Sequence, residues 1–136
     1  MTTFRVREAA DLLGVSDDTV RRWIDAGRLA SGTDSGGRNV VDGADLAAFA
    51  QTMAATAERP EPGPVMLESA RNRFVGLVTR VIRDTVMAQV DIQAGPHRFV
   101  SLMSREAADE LQLEPGVLAI AAVKSTHVVV EVPERK

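Results

Sequence analysis

The sequence of 136 residues lacks cysteine and tyrosine, and aromatic residues make up only 4% of it. Without cysteine, the chain cannot form a disulfide scaffold or hold a metal through thiolates. It also lacks a surplus of positive charge, because its net charge is −3. That balance argues against a nucleic-acid binder that relies on overall charge, although it leaves room for a small basic face.

Long apolar runs are also absent, since no stretch approaches the roughly 20 apolar residues of a membrane span. The first five residues, MTTFR, lack the apolar segment of a signal peptide. We therefore expect a cytoplasmic protein. An apolar content of 45% is ordinary for a folded globular protein.

A proline-rich segment at residues 58–68 divides the chain. Three prolines and one glycine fall between positions 60 and 64, where neither a helix nor a paired strand can continue. We predict an N-terminal domain at residues 1–57, a linker at 58–68 and a C-terminal domain at 69–136. Their net charges are −2, −2 and +1.

The N-terminal domain begins with two short helices separated by a tight turn. Apolar residues at helical spacing predict the first helix over residues 6–13, and Gly14 is a typical residue to end it. Ser16 can cap a second helix that ends near Ala26. The buried side of this second helix is predicted to comprise Val20, Trp23 and Ile24. Two helices joined in this way indicate a helix-turn-helix, whose second helix enters the DNA major groove.

The outward side of the second helix presents Thr19, Arg21 and Arg22, and arginine is a common reader of guanine edges and of phosphates. Residues 30–39 then predict a hairpin with glycines at its tip and Arg38 just beyond. Such a hairpin is a wing that can reach along the DNA backbone. A third helix is expected to begin at Asp42 or Asp45.

Residues 3–50 resemble the winged helix-turn-helix of excisionase-like and MerR-type proteins. The resemblance rests on the turn AADLLGVS, the helix TVRRW, the exit AGRL and the wing before the last helix. It implies that Thr19, Arg21 and Arg22 contact double-stranded DNA and that Arg38 binds a phosphate. Because few phosphate contacts give weak binding, useful occupancy would require two copies of the domain.

The C-terminal domain changes to an alternating pattern, which indicates β-strands. Ser104 is expected to cap a short helix over residues 105–111. Five short strands with one helix suggest a five-stranded barrel of the OB type, so the whole chain is predicted to be of the α+β class. The predicted strands cover residues 74–82, 86–92, 98–103, 117–123 and 128–132.

Three polar groups interrupt the apolar strands of this domain: Ser69 to Asn72, the pair Ser101 and Ser104, and Lys124 to Thr126. They offer two cations, Arg71 and Lys124, together with several hydroxyl groups. This set suits a tetrahedral oxyanion held by charge-assisted hydrogen bonds. It contains no paired acid and base and no activated nucleophile, so we expect no enzyme.

The same positions carry a second resemblance, to the molbindins, also called Mop or TOBE domains. It covers residues 69–132 and rests on SARNRFVGLVTRV, RFVSLMSREAADELQLEPG and AAVKSTHVVV. The resemblance implies a homo-oligomer, a dimer or a hexamer, that binds molybdate or tungstate between subunits. One subunit would supply Ser69, Ala70 and Arg71 and another would supply Lys124 and Ser125, with Ser101 and Ser104 completing the site.

Together, the two domains predict a DNA-binding transcriptional regulator that responds to molybdate or tungstate. The alternative is a cytoplasmic protein that stores or buffers molybdate and uses its N-terminal domain for docking. His97 and His127 lie 30 residues apart without a matching carboxylate–cysteine cluster, so we expect no metal ion bound by side chains. The metal is expected to bind only as its oxyanion.

Overall fold

The computed structural model describes residues 2–57 and 71–134. Its contacts divide the chain into two compact units, Met1–Glu58 and Arg59–Lys136, and each unit is described by itself. The predicted linker at 58–68 lies outside the described residues.

The first unit contains the two predicted helices at their expected places. Helix α1 spans Val6–Leu13 and ends at Gly14, whose φ of +71° is a conformation that glycine adopts readily. Helix α2 spans Asp17–Asp25. The Ser16 hydroxyl accepts a hydrogen bond from the backbone N–H of Thr19 at 3.2 Å, which confirms the predicted cap.

A three-stranded antiparallel sheet accompanies these helices. Strand β1 (Thr3–Arg5) pairs with β3 (Asn39–Asp42), which also pairs with β2 (Gly32–Thr33). The hairpin of β2 and β3 is the predicted wing, although β3 runs further than expected. Strand β1 was not predicted, because three residues are too few to show alternation.

Helix α3 spans Gly43–Thr56 and begins at Asp42, whose side chain accepts a hydrogen bond from the Ala44 N–H at 3.2 Å. Its Phe49 ring lies 5.0 Å from the Trp23 ring, between ring centres. Both rings pack against the core that joins the three helices to β3. The buried core residues are Val6, Ala9, Ala10, Val20, Leu29, Val41 and Leu46.

The second unit is a curled, antiparallel, four-stranded sheet with the strand order β6-β5-β4-β7. Its strands are β4 (Asn72–Arg83), β5 (Met87–Ala94), β6 (His97–Ser104) and β7 (Leu118–Val123). One face packs on a small core of Val78, Val90, Ile92, Leu113 and Ala121.

Helix α4 (Arg105–Glu110) follows β6 directly, and the Ser104 hydroxyl caps it by accepting the Ala107 N–H at 3.1 Å. On β4, Gly76 allows the close approach of β5, because a Cβ at this position would collide with the backbone carbonyl of Gln93. The α+β class agrees with the prediction, and the half-barrel contains four of the five strands predicted for the OB-type barrel.

The predicted fifth strand at 128–132 is wrong as a description of this chain. A short 3-10 helix, Ser125–His127, follows β7, and no strand follows it in the residues described up to 134. Val129, Val130 and Val132 are 83%, 81% and 87% exposed. Branched side chains favour an extended backbone, but a strand also needs a partner with which to exchange hydrogen bonds.

Across residues 2–57 and 71–134, no helix is long and apolar enough to cross a membrane.

Candidate functional sites

Two residues predicted to contact DNA, Thr19 and Arg22, lie next to each other on α2. Arg22 donates a hydrogen bond from Nη2 to the Thr19 hydroxyl at 3.2 Å, and that hydroxyl lies 2.9 Å from the Ser16 hydroxyl. Thr19 and Arg22 therefore share one surface, as the spacing predicted. Arg22 is exposed, so its remaining donors face solvent.

Arg21 lies instead on a groove of about 330 Å³ beside the wing. Its lining consists of Arg5, Val6, Arg7, Asp17, Arg21, Arg38 and Asn39. The structure thus brings the predicted Arg21 and Arg38 together. It also adds Arg5 and Arg7, which flank the buried Val6 and were missed because nothing in the sequence indicates that they approach the wing.

The turn of the wing is held by the Asp34 carboxylate. One of its oxygens accepts hydrogen bonds from the backbone N–H groups of Gly36 and Arg38, both at 2.9 Å. The Arg38 hydrogen bond is the main reason that the pKa of Asp34 lies below its ordinary value. A charged Asp34 therefore fixes the backbone that carries the Arg38 side chain.

In the second unit, Arg71 and Lys124 both follow the same end of the β4–β7 ladder in one chain, whereas the resemblance assigned them to different subunits. Asn72 of β4 pairs with Val123 of β7, so Arg71 and Lys124 occupy the next positions beyond that end of the ladder. Ser125 follows at the start of the 3-10 helix. Arg71, Lys124 and Ser125 are exposed. Ser69 and Ala70, which precede them, lie outside the described residues.

Ser101 and Ser104 lie elsewhere on the same sheet. Ser101 is paired with Val90 and, through it, with Val81, which lies nine residues along β4 from Asn72. At about 3.3 Å per residue, that is at most roughly 30 Å along a strand that has a bulge between Val78 and Arg80. Ser104 is further still, opposite Met87, and its hydroxyl already caps α4. One chain therefore presents the predicted site as two separate parts.

The sequence also gave no sign of a buried carboxylate on β5. Asp91 is only 5% exposed and pairs with Arg98 of β6, whose Nη2 and Nε lie 2.8 and 3.2 Å from one carboxylate oxygen. Gln89 donates to the other oxygen at 3.2 Å. The hydrogen bonds from Arg98 and then Gln89 lower the pKa of Asp91. This pair ties β5 to β6.

The described parts of the chain hold no group of three or more histidine, aspartate and glutamate side chains that could bind a metal ion. His97 begins β6, and His127 ends the 3-10 helix after β7. Strands β6 and β7 are the two outer strands of the sheet, so the two histidines are carried by opposite edges.

Comparison with known proteins assigns both units. A model of the TOBE domain matches residues 68–130, and a model of a helix-turn-helix domain matches residues 3–54. Molybdenum-pterin-binding protein 2 of Clostridium pasteurianum is 35% identical over 63 residues, which are 46% of this chain and 93% of that protein. The chain belongs to the TOBE, or molbindin, family. Its TOBE domain follows an N-terminal helix-turn-helix domain.

Two further relatives match about the same length. The molybdenum transport protein ModE of Herbaspirillum seropedicae is 40% identical over 65 residues, which are 47% of this chain and 24% of that protein. The chain thus matches about a quarter of the length of this relative. The solved structure of a molybdate-binding protein from Sporomusa ovata shares 28% identity, covers 49% of this chain and 100% of its own, and has a TM-score of 0.48.

Proposed function

We propose that this protein is a DNA-binding transcriptional regulator of the cytoplasm that responds to molybdate or tungstate. The observation that carries the proposal is the joining of a helix-turn-helix domain and a TOBE domain in one chain. The names of the Herbaspirillum and Clostridium relatives both refer to molybdenum. These names support molybdenum, in the form of its oxyanion, as the signal.

The proposed oxyanion site is shared between copies of the chain. Arg71, Lys124 and Ser125 lie at one end of the half-barrel, and Ser101 and Ser104 lie far from it on β6. A molybdate ion is only a few ångströms across, so it cannot touch both groups in one chain. A second copy can supply the missing part. Ser69 and Ala70 are assigned to the same site by the resemblance.

The chemistry of these residues suits a tetrahedral oxyanion. Two cations supply charge, and the serine hydroxyls donate directed hydrogen bonds, which are stronger when the acceptor is charged. A larger ion such as molybdate can reach donors that the smaller sulfate cannot contact at the same time. Tungstate is nearly the same size as molybdate, so this argument does not separate the two.

The surface of the second unit supports assembly. Several large apolar side chains of this small unit are exposed, including Val100 and Leu102 on the outer strand β6 and the valines at 128–132. An apolar surface of this kind, beside a sheet edge with which no described strand pairs, is typical of an interface. A homo-oligomer would cover it and complete the oxyanion site.

Assembly gives the regulator its mechanism. An anion that binds between copies favours the oligomer, because ligand binding shifts the population toward the state that holds it. The oligomer would then place two helix-turn-helix domains on one DNA, with Thr19, Arg21, Arg22 and Arg38 as the proposed contacts. A coupling of about 1–3 kcal/mol would change DNA affinity about 5–150-fold.

Calorimetry with molybdate, tungstate and sulfate tests the oxyanion site. We expect heat from molybdate and tungstate with the wild-type chain, and no heat with Lys124→Ala or Arg71→Ala. Arg73→Ala is a matched control, because Arg73 is also exposed but lies within the β4–β7 ladder. Tight molybdate binding by Lys124→Ala and Arg71→Ala would contradict the assignment.

DNA binding tests the regulatory part. DNA fragments selected from genomic sequence by the wild-type chain should bind more tightly with molybdate than without it, at a fixed salt concentration. Arg22→Ala should weaken DNA binding and leave the heat of molybdate binding unchanged. Equal affinity for the selected DNA with and without molybdate would contradict a responsive regulator.

One observation favours the second candidate, a protein that stores or buffers molybdate. The Clostridium relative consists almost entirely of the matched domain, since 93% of it is covered. A TOBE domain can therefore exist without a helix-turn-helix. A buffer would bind several anions per oligomer, bind no selected DNA and be unaffected by Arg22→Ala.

A further inference from the structure

The arginines of the N-terminal domain are concentrated on one surface. Residues 1–57 contain six basic residues, all arginine, against eight carboxylates. Four of these six line the groove beside the wing: Arg5, Arg7, Arg21 and Arg38. Only one of the eight carboxylates, Asp17, is among its lining residues. A domain that is acidic as a whole therefore carries a basic groove.

The four arginines reach this groove from different parts of the fold. Arg5 ends β1, Arg7 lies in the first turn of α1, Arg21 lies on α2 and Arg38 follows the turn of the wing. A solvated helix face would place its charges on one element at helical spacing. Here β1 and the start of α1 bring two arginines to a surface that α2 and the wing share.

We propose that this groove binds the phosphodiester backbone of duplex DNA and that Arg5 and Arg7 each contribute a phosphate contact. The proposal rests on the proposed function and adds a second contact surface to the recognition helix. Guanidinium groups match phosphate oxygens with two parallel hydrogen bonds. Contacts of this kind fix the register of a protein on DNA and carry no sequence information.

Carboxylates near the groove limit the affinity with which it would bind DNA. Asp17 lines it, and Asp18 lies 3.9 Å from Arg21 in an exposed pair. The Glu8 carboxylate accepts a hydrogen bond from the backbone N–H of Arg5 at 3.1 Å. The charges of Arg5 and Arg38 both act on Asp34 in the wing. This partial cancellation makes a single domain a weak binder, so occupancy of DNA depends on two domains acting together.

The test is a salt titration of DNA binding by the full chain, with a labelled duplex of random sequence as the probe. In Arg7→Gln we expect affinity to fall roughly eightfold at about 0.1 M salt, with the slope of log K against log salt smaller by about 0.9. Arg5→Gln should behave alike. Asp17→Asn should have the opposite effect and raise affinity, because it removes the negative charge from the groove.

The matched control is Arg28→Gln, which removes the same charge from the same domain. Arg28 lies over the Trp23 and Phe49 rings, 6.0 Å from each ring centre, and is not among the lining residues of the groove. The DNA affinity of Arg28→Gln, and the slope of log K against log salt, should stay near those of the wild type. Thermal unfolding of each variant shows that the domain remains folded.

The outcomes separate the two proposals. If the wild-type chain binds DNA and Arg7→Gln and Arg5→Gln keep its affinity and slope, the groove assignment is wrong and the regulator can stand. If Arg5→Gln, Arg7→Gln and Arg28→Gln lose DNA affinity equally, only the overall charge matters and the groove assignment is again wrong. If the wild-type chain binds no duplex DNA at low salt, with or without molybdate, the DNA-binding function and the groove both fail.

Discussion

Single residues that act on their near neighbours were predictable here. Ser16 and Ser104 each accept an N–H three residues ahead, and Gly14 ends α1 with a positive φ. These effects depend on residue type and short spacing, both of which the sequence contains. The pair of Asp91 and Arg98 was not predictable, because it depends on the register of β5 against β6.

The Asp91 carboxylate makes stability depend on pH. Its pKa in the folded protein is lowered from 3.8 by the hydrogen bonds of Arg98 and Gln89. A lowered pKa means that the charged carboxylate favours the folded state at neutral pH and that this contribution disappears as pH falls below about 4. Asp91→Asn should therefore unfold several degrees below the wild type at pH 7, with a shrinking difference at lower pH.

Thermal unfolding at a series of pH values checks this expectation. Asp109→Asn is the control, because the Asp109 side chain is 54% exposed and ion pairs of exposed carboxylates contribute little. A difference between Asp91→Asn and the wild type that persists unchanged at pH 3 would show that packing, and not charge, is responsible.

At the scale of elements, side-chain patterns together with turn and cap residues located all eight elements that span six or more residues. The secondary-structure predictions fail where pairing with another strand decides whether a strand forms. Strand β1 exists because β3 pairs with it, and residues 128–132 form no strand because nothing in the described chain pairs with them. An alternating pattern of apolar and polar residues indicates a preference for the extended conformation. It does not show whether another strand is available to pair with that segment.

The exposed valines of residues 128–132 predict a requirement for assembly. A chain with both Val129→Lys and Val130→Lys should have the mass of a monomer by light scattering, because lysines cannot be buried at an apolar interface without cost. The unit itself should stay folded, since both valines are more than 80% exposed in the chain alone.

Glu131→Lys is the matched control, because it adds positive charge between these valines and Val132 and leaves the apolar side chains in place. Its mass should equal that of the wild type. A wild-type chain that is already a monomer with molybdate bound, or a double variant that keeps the wild-type mass, would contradict the expectation.

At the scale of the whole molecule, composition and motifs indicated two domains and the resemblance implied a site shared between subunits. Neither indicated which of the predicted oxyanion residues one chain holds together. Sequence places Arg71 before β4 and Ser101 within β6, but only the strand order shows that they lie at separate parts of the sheet. The distance between them is a property of register, which local patterns do not contain.

This split predicts that two inactive variants restore each other. Lys124→Ala and Ser101→Ala should each reduce molybdate binding as pure oligomers. In a mixed oligomer, a site formed by the intact Lys124 of one copy and the intact Ser101 of another contains no substitution. Unfolding and refolding equal amounts of the two variants together should recover about a quarter of the sites, measured by calorimetry, because chains mix at random under the shared-site arrangement. No recovery would indicate that each chain binds alone.

The same separation affects how the protein reads its surroundings. If one chain carries only part of the binding site, a monomer cannot bind the anion. At low protein concentration, where monomers dominate, the protein would therefore not respond to the anion. Under the proposed function, the protein would sense the abundance of molybdate together with its own abundance, so lowering its expression would raise the anion level needed for a response. The gene that encodes this chain would thus set the threshold through the amount of protein made, without any change to a ligand-binding residue.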